Sequence, residues 1–317
     1  MYTDKKVLLI GGGGTLGTYT AEELLRLGCK VDIICLEDKT SDDERLRYYK
    51  EKVSQELLAD MFKKEQYDGI VDFIHYLEVE DYRPYHKLLT DHTDHLIFLS
   101  SYRIYADQEH PVTEKSPVLL DVMDDKEFLE TEKYALSKAR CEKFLWGESD
   151  ADNWTVVRPV ISFSDRRYDI VTCSDRKVIE KTKRGEKVLL PEKSRKLTAG
   201  LDWSGNTGKI IANLLFKKEA IKEAYTISTA QNMTWEEVAN LYTKLIGTEF
   251  EWTDTDEYLN SDPDIKSNKW ALYYDRFFDR KIDNRKVMQV TGLKPEDFLS
   301  IEEGLRIELS KVVDVRD

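Results

Sequence analysis

The sequence predicts an α/β fold in which a doubly wound parallel sheet is joined to a smaller C-terminal lobe. Three observations lead to this class. Short apolar runs alternate with helical patterns through about residue 159, glycines mark the first strand-to-helix turn, and a late apolar run at residues 225–228 fits a strand returning to the sheet. Alternating strands and helices imply right-handed crossovers and parallel pairing. The 317 residues are enough to bury a full core.

The first strand and helix surround a glycine-rich turn. Residues 6–10 form an apolar run, residues 15–27 have a helical pattern, and Gly11, Gly14 and Gly17 lie between and within them. Glycine permits positive φ and close backbone approach, and the start of a helix offers unpaired N–H groups to a pyrophosphate. The turn therefore predicts a dinucleotide site on a Rossmann-type sheet. The spacing is G-x-x-G-x-x-G, and a glycine-rich turn without a ligand is the alternative.

The second predicted strand, residues 30–36, ends where an acidic side chain would meet the adenosine ribose. Such an acid favours NAD over NADP because it repels a 2′-phosphate. The candidates are Glu37 and Asp38. Cys35 stands where the usual acid aligns and Lys39 follows, so NAD is preferred and NADP stays open.

A tyrosine and a lysine have the spacing of a proton-transfer pair. Tyr134 and Lys138 stand at i and i+4, which places both side chains on one face of a helix. A phenol with a pKa of about 10 needs a nearby ammonium to act as a base. Tyr48 and Lys52 have the same spacing, but only the later pair falls on a predicted helix between the fourth and fifth strands. Tyr134 and Lys138 are therefore the catalytic candidates.

A serine follows the fourth predicted strand, residues 96–100. Ser101 can hydrogen-bond the substrate oxygen whose proton Tyr134 takes or gives. The alternative is a strand-end serine that satisfies a loop backbone.

Four ordered segments together resemble a known family. They are GGGGTLG at residues 11–17, LSSYRIYAD at 99–107, YALSK at 134–138 and NWTVVRP at 153–159. In this order the chain resembles the extended short-chain dehydrogenase/reductase family of NAD-dependent epimerases and dehydratases, as a divergent or atypical member. The resemblance implies an NAD(P)-dependent epimerase or oxidoreductase that acts on a sugar or nucleotide-sugar through Ser101, Tyr134 and Lys138. The cofactor-binding residues that it implies are Gly11, Gly14, Thr15, Leu16, Gly17, Glu37, Ser100, Tyr134, Lys138 and Pro159.

Two departures from the family pattern bear on the substrate. Tyr102 and Arg103 stand where sugar dehydratases carry an Asp-Glu pair, which argues against a 4,6-dehydratase. These two residues are instead the substrate-binding candidates, and an arginine suits a carboxylate or phosphate; a surface arginine is the alternative. A ketone or sugar reductase with the same triad, and a non-catalytic regulatory protein that binds NAD, are the alternative functions.

Composition narrows the class further. No apolar stretch reaches the roughly 18 residues that a spanning helix needs, and no leader is visible, so a cytoplasmic protein is expected. The net charge of −13 argues against a protein that binds nucleic acid. Four separated cysteines predict reduced packing residues, and the acidic and histidine-containing run at residues 91–95 is interpreted as a polar loop, with no metal site expected.

The predicted domain boundaries follow the change in pattern after the strand at NWTVVRP. Residues 1–165 form the dinucleotide-binding domain, completed by about 205–230, and residues 166–204 and 231–317 form the smaller substrate lobe. Residues 37–51 are expected to be a loop extension and the aromatic run at 270–278 to be core packing. A homodimer is a further expectation from the resemblance.

Overall fold

The structure, a computed structural model, describes residues 2–316 and has a seven-stranded parallel sheet at its centre. The strands of the described chain are β1 (Lys6–Ile10), β2 (Lys30–Cys35), β3 (Leu46–Lys50), β4 (Tyr67–Asp72), β5 (Thr93–Leu99), β6 (Trp154–Pro159), β7 (Ile161–Phe163), β8 (Val188–Pro191), β9 (Leu201–Trp203), β10 (Glu223–Ile227) and β11 (Phe250–Thr253). The order in the large sheet is β10-β6-β5-β4-β1-β2-β3. β2 and β3 lie on one side of β1, and β4, β5, β6 and β10 lie on the other. The strand order reverses between β1 and β4, so a crevice opens at their carboxyl ends.

Helices cover both faces of this sheet. Those that pack on it are α1, α2, α3, α6, α8 and α13. The helices of the described chain are α1 (Thr15–Arg26), α2 (Gln55–Phe62), α3 (Val79–Thr90), α4 (Leu119–Val122), α5 (Lys126–Thr131), α6 (Ala135–Gly147), α7 (Asp175–Arg184), α8 (Ser204–Leu214), α9 (Trp235–Ile246), α10 (Thr255–Asn260), α11 (Pro263–Ser267), α12 (Lys269–Ala271), α13 (Arg285–Thr291) and α14 (Ile301–Leu309). The predicted α/β class is confirmed.

The alternation of side chains along β1 shows why the sheet needs helices on both faces. Val7 and Leu9 pack into one core with α1, α8 and α13, whereas Leu8 and Ile10 pack into the other with α2, α3 and α6. Successive side chains of a strand point to opposite faces, so a strand that is apolar throughout must be buried twice.

A third core lies among the later elements. The two-stranded pairs β8–β11 and β7–β9 pack with α9 and the turn that follows α12. The aromatic run at residues 270–278 is core packing, as predicted: Trp270 and Tyr274 contact Phe128. The division of the chain into two domains stays a prediction.

Two predicted loops are wrong in part. The stretch 37–51 contains β3, which pairs in parallel with β2 at the sheet edge. Flanking acidic residues concealed its alternation, in which Leu46 and Tyr48 pack toward one core and Tyr49 toward the other.

The histidine-containing run at residues 91–95 is the second partial error. β5 already begins at Thr93 and buries His95, whose Nδ1 accepts from the Phe216 N–H at 3.0 Å. Its Nε2 lies 2.7 Å from the Thr155 hydroxyl, so this imidazole serves the core. Within residues 2–316 no group of side chains is arranged to hold a metal ion.

The cysteines are packing residues, as predicted, within the part of the chain that the structure describes. All four cysteines are free and buried. None of the helices there has the length and apolar character needed to cross a membrane.

Candidate active site

Three glycines at the turn between β1 and α1 have different surroundings. Gly11 has φ of +70°, which glycine adopts without strain. A Cβ on Gly17 would lie 2.2 Å from the Gly12 carbonyl oxygen, so the helix can approach the turn only with glycine there. Gly14 begins α1 in an extended conformation, and apart from its chain neighbours no described atom lies within 4 Å of where its Cβ would be. Packing thus explains Gly17, whereas the space over Gly14 is open.

A cavity of about 930 Å³ extends from this turn across the carboxyl ends of β1, β2 and β4. Gly11, Gly14 and Glu37 line it, as the sequence predicts for a cofactor site. Leu36 and Leu77 also line it and are 71% and 51% exposed. Large apolar side chains exposed in a concave site suit a flat apolar ring.

The charges around Glu37 hold the second strand against the glycine turn. Glu37 lies 3.7 Å from Arg166, whose Nη1 donates to the Gly13 carbonyl at 3.0 Å. Lys39 Nζ donates to the same carbonyl at 2.8 Å. Sequence reasoning missed Arg166 because it stands in a segment without periodicity.

A second cavity, of about 410 Å³, joins the glycine turn to the predicted chemistry. Eight predicted site residues line it: Thr15, Leu16, Ser100, Ser101, Tyr102, Arg103, Tyr134 and Pro159. Val160, Ile161, Ser162 and Arg167 line it too, although the sequence did not single them out. The structure therefore brings together residues from the starts of α1 and α6, from the ends of β5 and β6, and from β7.

Tyr134 and Lys138 stand at the start of α6. Tyr134 is the N-cap residue with helical φ of −93° and ψ of −62°, and its carbonyl accepts the i+4 hydrogen bond from the Lys138 N–H at 3.2 Å. Tyr134 is half-buried and lines the cavity, whereas Lys138 is buried. The pair therefore has the predicted i and i+4 relation of a helix, with Tyr134 at the helix boundary.

The Lys138 ammonium is anchored to the strand ends. Its Nζ donates to the carbonyls of Ile74 at 3.0 Å and Leu99 at 2.5 Å, using two of its three N–H groups. Burial lowers the pKa of Lys138 to about 8, and the buried carboxylate of Asp72 opposes this shift. Burial in turn raises the pKa of Asp72 to about 6. A third N–H is left for another acceptor.

The two serines differ in their hydrogen bonds. Ser101 Oγ accepts from the Arg103 N–H at 3.2 Å and caps the short turn Tyr102–Ile104, which leaves its own proton to donate. Ser100 Oγ is buried, and no partner for it exists in residues 2–316. A buried hydroxyl without a partner is costly, so the site has unused polar capacity.

The two substrate-binding candidates have different surroundings. Tyr102 is buried and its hydroxyl donates to Asp275 at 2.9 Å. Arg103 places its guanidinium 4.9 Å from the centre of the Tyr134 ring and is 16% exposed. The surface-arginine alternative for Arg103 is therefore wrong.

His75 is a neighbour of Tyr134 that sequence reasoning did not select. Its ring lies edge-on, 5.1 Å from the Tyr134 ring, and Nε2 is 2.8 Å from the Ser137 hydroxyl. Burial, with a smaller effect of Lys138, lowers the pKa of His75.

Arg158, at the end of β6, holds the elements around the site together. It pairs with the buried carboxylate of Glu142 on α6 at 2.5 Å and donates to the Tyr105 hydroxyl at 2.8 Å. It also donates to the Glu114 carbonyl at 3.1 Å. This group positions α6 and does not line the cavity.

The chain matches no known protein-family model and no curated protein sequence. Solved structures are similar over nearly its whole length. Epimerase Mth375 from Methanothermobacter thermautotrophicus has a TM-score of 0.70 at 14% identity, covering 97% of this chain and 91% of that one. UDP-glucuronic acid 4-epimerase from Bacillus cereus, solved with UDP-glucuronic acid and NAD, has a TM-score of 0.70 at 14% identity, covering 96% and 98%. dTDP-glucose 4,6-dehydratase from Bacillus anthracis, solved with NAD, has a TM-score of 0.69 at 16% identity, covering 96% of each chain. The chain therefore has the fold of the epimerases and dehydratases that its sequence resembles.

Proposed function

We propose that this protein is an NAD(P)-dependent epimerase or oxidoreductase that acts on a sugar or nucleotide-sugar through Ser101, Tyr134 and Lys138. One observation carries the proposal: a single 410 Å³ cavity is lined by Thr15 and Leu16, which follow the glycine turn, and by Ser101 and Tyr134. A cofactor seated on that turn would reach the groups that handle the substrate proton.

The residues around the two cavities fit NAD. The open space over Gly14 admits a pyrophosphate at the start of α1. Leu36 and Leu77 offer apolar surface to an adenine, and the third N–H of Lys138 can serve a ribose hydroxyl. NAD, when bound, accepts a hydride from the substrate and can return it.

Glu37 makes NAD the preferred form of the cofactor. Its carboxylate lines the 930 Å³ cavity at the end of β2, where it would accept from ribose hydroxyls and repel a 2′-phosphate. Arg166 and Lys39 lie close by and are the cations that a phosphate could recruit. Comparing the Kd values of NAD and NADP tests this: we expect NAD to bind more tightly, and Glu37→Gln to reduce the difference.

In the proposed mechanism Tyr134 removes the proton of a substrate hydroxyl while the carbon is oxidised. The Lys138 ammonium, in the first turn of the helix that follows Tyr134, stabilises the phenolate. Ser101 donates its free proton to the same substrate oxygen and holds it in place. The resulting ketone is reduced again on its other face in an epimerase, with Tyr134 returning the proton.

The same groups would also serve a one-way reductase. The sequence distinguishes an epimerase or a reductase from a dehydratase. Tyr102 and Arg103 stand in place of the acid pair that elimination needs, so we propose that a 4,6-dehydratase is excluded. The fold does not make this distinction, because a dehydratase is among the similar structures.

The proposal extends to the location of the protein in the cell and to its oligomeric state. Four buried free cysteines fit a reducing cytoplasm, and a small-molecule substrate fits the 410 Å³ cavity. We propose a homodimer, which sedimentation equilibrium would test.

The decisive experiment is single-turnover absorbance of the reduced nicotinamide. Stoichiometric protein and NAD are mixed with UDP-, dTDP- and GDP-sugars and with simple sugar acids. We expect a transient signal with one substrate class, and none with Tyr134→Phe, whose affinity for NAD should be unchanged. Silence across the panel with NAD bound would favour the non-catalytic alternative.

A further inference from the structure

A cluster of arginines surrounds one buried carboxylate beside the 410 Å³ cavity. Asp275 is fully buried and accepts from Arg280 Nε at 3.0 Å and from Arg276 Nη1. Arg103 Nε lies 3.7 Å from the same carboxylate and its Nη2 lies 3.5 Å from Glu132. We call Arg103, Arg276 and Arg280 the arginine cluster.

In its direct ion pairs the cluster has more positive than negative charge. Its three guanidinium groups face the two carboxylates of Asp275 and Glu132, in a chain whose net charge is −13. Asp107 and Asp169 act on Arg280 and Arg276 without forming an ion pair with either. Glu132 also accepts from the Leu136 N–H, so its carboxylate is shared with the start of α6. A local positive excess beside a cavity attracts an anion, and the low-dielectric surroundings strengthen that attraction.

The arginines also repel one another. The pKa of Arg276 is lowered to about 10, mainly by burial. The charges of Arg103 and Arg167 act in the same direction, whereas Tyr102 and Asp169 oppose them. Arg167 lines the cavity itself and pairs with Asp169 at 3.2 Å. An anion in the cavity would relieve this repulsion, since it would add the negative charge that the cluster lacks.

Arg103 is the member best placed to receive that anion. Its Nε is buried, and no atom of residues 2–316 hydrogen-bonds to it. Its contacts with Glu132 and Asp275, at 3.5 and 3.7 Å, are longer than an N–H···O hydrogen bond. Arg103 lines the cavity, and its guanidinium lies over the Tyr134 ring.

We infer that the substrate carries an anionic group, a carboxylate or a phosphate, close to the carbon that is oxidised, and that Arg103 binds this group with the help of Arg167. The inference rests on the proposed function for the position of the reacting carbon, because Arg103 is defined relative to Tyr134. It makes a sugar acid or a sugar phosphate, not a neutral sugar, the expected reacting unit. Guanidinium suits both anions because its N–H groups form paired hydrogen bonds with their oxygens.

The test compares matched ligands that differ by one anionic group on the sugar, by isothermal titration calorimetry on the NAD-loaded protein. The pairs are glucose with glucuronate, glucose with glucose 6-phosphate, and UDP-glucose with UDP-glucuronic acid, of which the last two already share the charge of the diphosphate. We expect the member with the added anionic group to bind roughly 10- to 100-fold more tightly in at least one pair, the range of a charge-assisted hydrogen bond. Glucuronate and glucose 6-phosphate show whether the anion is a carboxylate or a phosphate.

Variants assign the preference to Arg103. Arg103→Gln should remove the preference and leave the Kd of the neutral sugars within about twofold, while Arg103→Lys should retain part of it. Arg176→Gln is the matched control, because Arg176 is 84% exposed and pairs only with Glu180 on its own helix in the described structure. Equal Kd values within every pair, a preference that survives Arg103→Gln, or no binding of any anionic ligand would each overturn the inference.

The outcome is separable from that of the proposed function. Charge preference is measured as binding, whereas the function is measured as hydride transfer. Tight glucuronate binding without turnover would support the anion site and contradict the enzyme. Turnover of a neutral sugar with no charge preference would support the enzyme and contradict the anion site. Thermal unfolding of Arg103→Gln confirms that any loss is not a failure to fold.

Discussion

Replacing Gly14 with alanine should separate cofactor binding from folding. Gly14 has φ of −81° and ψ of −171°, a conformation that alanine adopts freely. Its Cβ would meet no described atom within 4 Å other than its chain neighbours. The new methyl group would therefore disturb only a molecule that approaches the turn from the cavity.

The expected change in stability is small because two effects oppose each other. Alanine restricts the unfolded chain, which stabilises the fold by about 0.4–1 kcal/mol. Alanine is also a poorer N-cap residue for α1 than glycine, at a cost of about the same size. The free energy of unfolding of Gly14→Ala should therefore stay within about 1 kcal/mol of the wild type.

The expected change in NAD affinity is larger. A methyl group over the start of α1 would push the pyrophosphate away from the backbone N–H groups. Loss of one charge-assisted hydrogen bond costs about 1.5–3 kcal/mol. The Kd for NAD should accordingly rise roughly 10- to 100-fold.

Calorimetric titration with NAD and urea unfolding measure the two quantities, and two further glycines serve as controls. Gly147→Ala, at the end of α6 and also in open space, should leave NAD affinity unchanged. Gly17→Ala should destabilise the fold by about 1–3 kcal/mol, because its Cβ would overlap Gly12. Unchanged NAD affinity in Gly14→Ala would refute the assignment of this turn to the pyrophosphate.

Three further predictions concern the groups around the cavity. Arg158→Met should lower the free energy of unfolding by about 3–5 kcal/mol, since it leaves Glu142 buried and unpaired, and adding Glu142→Leu should restore most of it; equal losses in both proteins would contradict this. Lys138 has a folded pKa of about 8 against an ordinary 10.5, so the unfolded chain binds more protons between these values and the contribution of Lys138 to stability rises with pH there. In that pH window the free energy of unfolding of the wild type, relative to that of Lys138→Met, should rise by up to ~1.4 kcal/mol per pH unit, as measured by unfolding curves. A difference that does not change with pH would contradict this prediction. Tyr134→Phe should keep its NAD Kd within about twofold while losing hydride transfer, and retained transfer would remove the phenol from the mechanism.

The fold was accessible from sequence because its signals are local. An apolar run before the glycines and a helical pattern after them fix β1 and α1, and the late run at β10 completes the sheet. β3 escaped because it is a short edge strand among acidic residues, and its half-exposed side chains give a weak alternation.

The sequence predicted the residues at the centre of the candidate site but not the residues that surround them. Ser101 and Tyr134 could be selected because order and spacing place them at neighbouring strand and helix ends. Arg276 and Arg280 lie more than 170 residues beyond Tyr102 in the chain, yet they share a buried cluster with it. No local pattern brings such distant charges together, so only the folded structure shows them.

A crystal structure of the protein with NAD would test the proposed site most directly. We expect the pyrophosphate over Gly14, the adenine in the cavity lined by Leu36 and Leu77, and the nicotinamide ring in the cavity lined by Ser101 and Tyr134. NAD bound elsewhere, or a nicotinamide ring directed away from Tyr134, would contradict the proposed function.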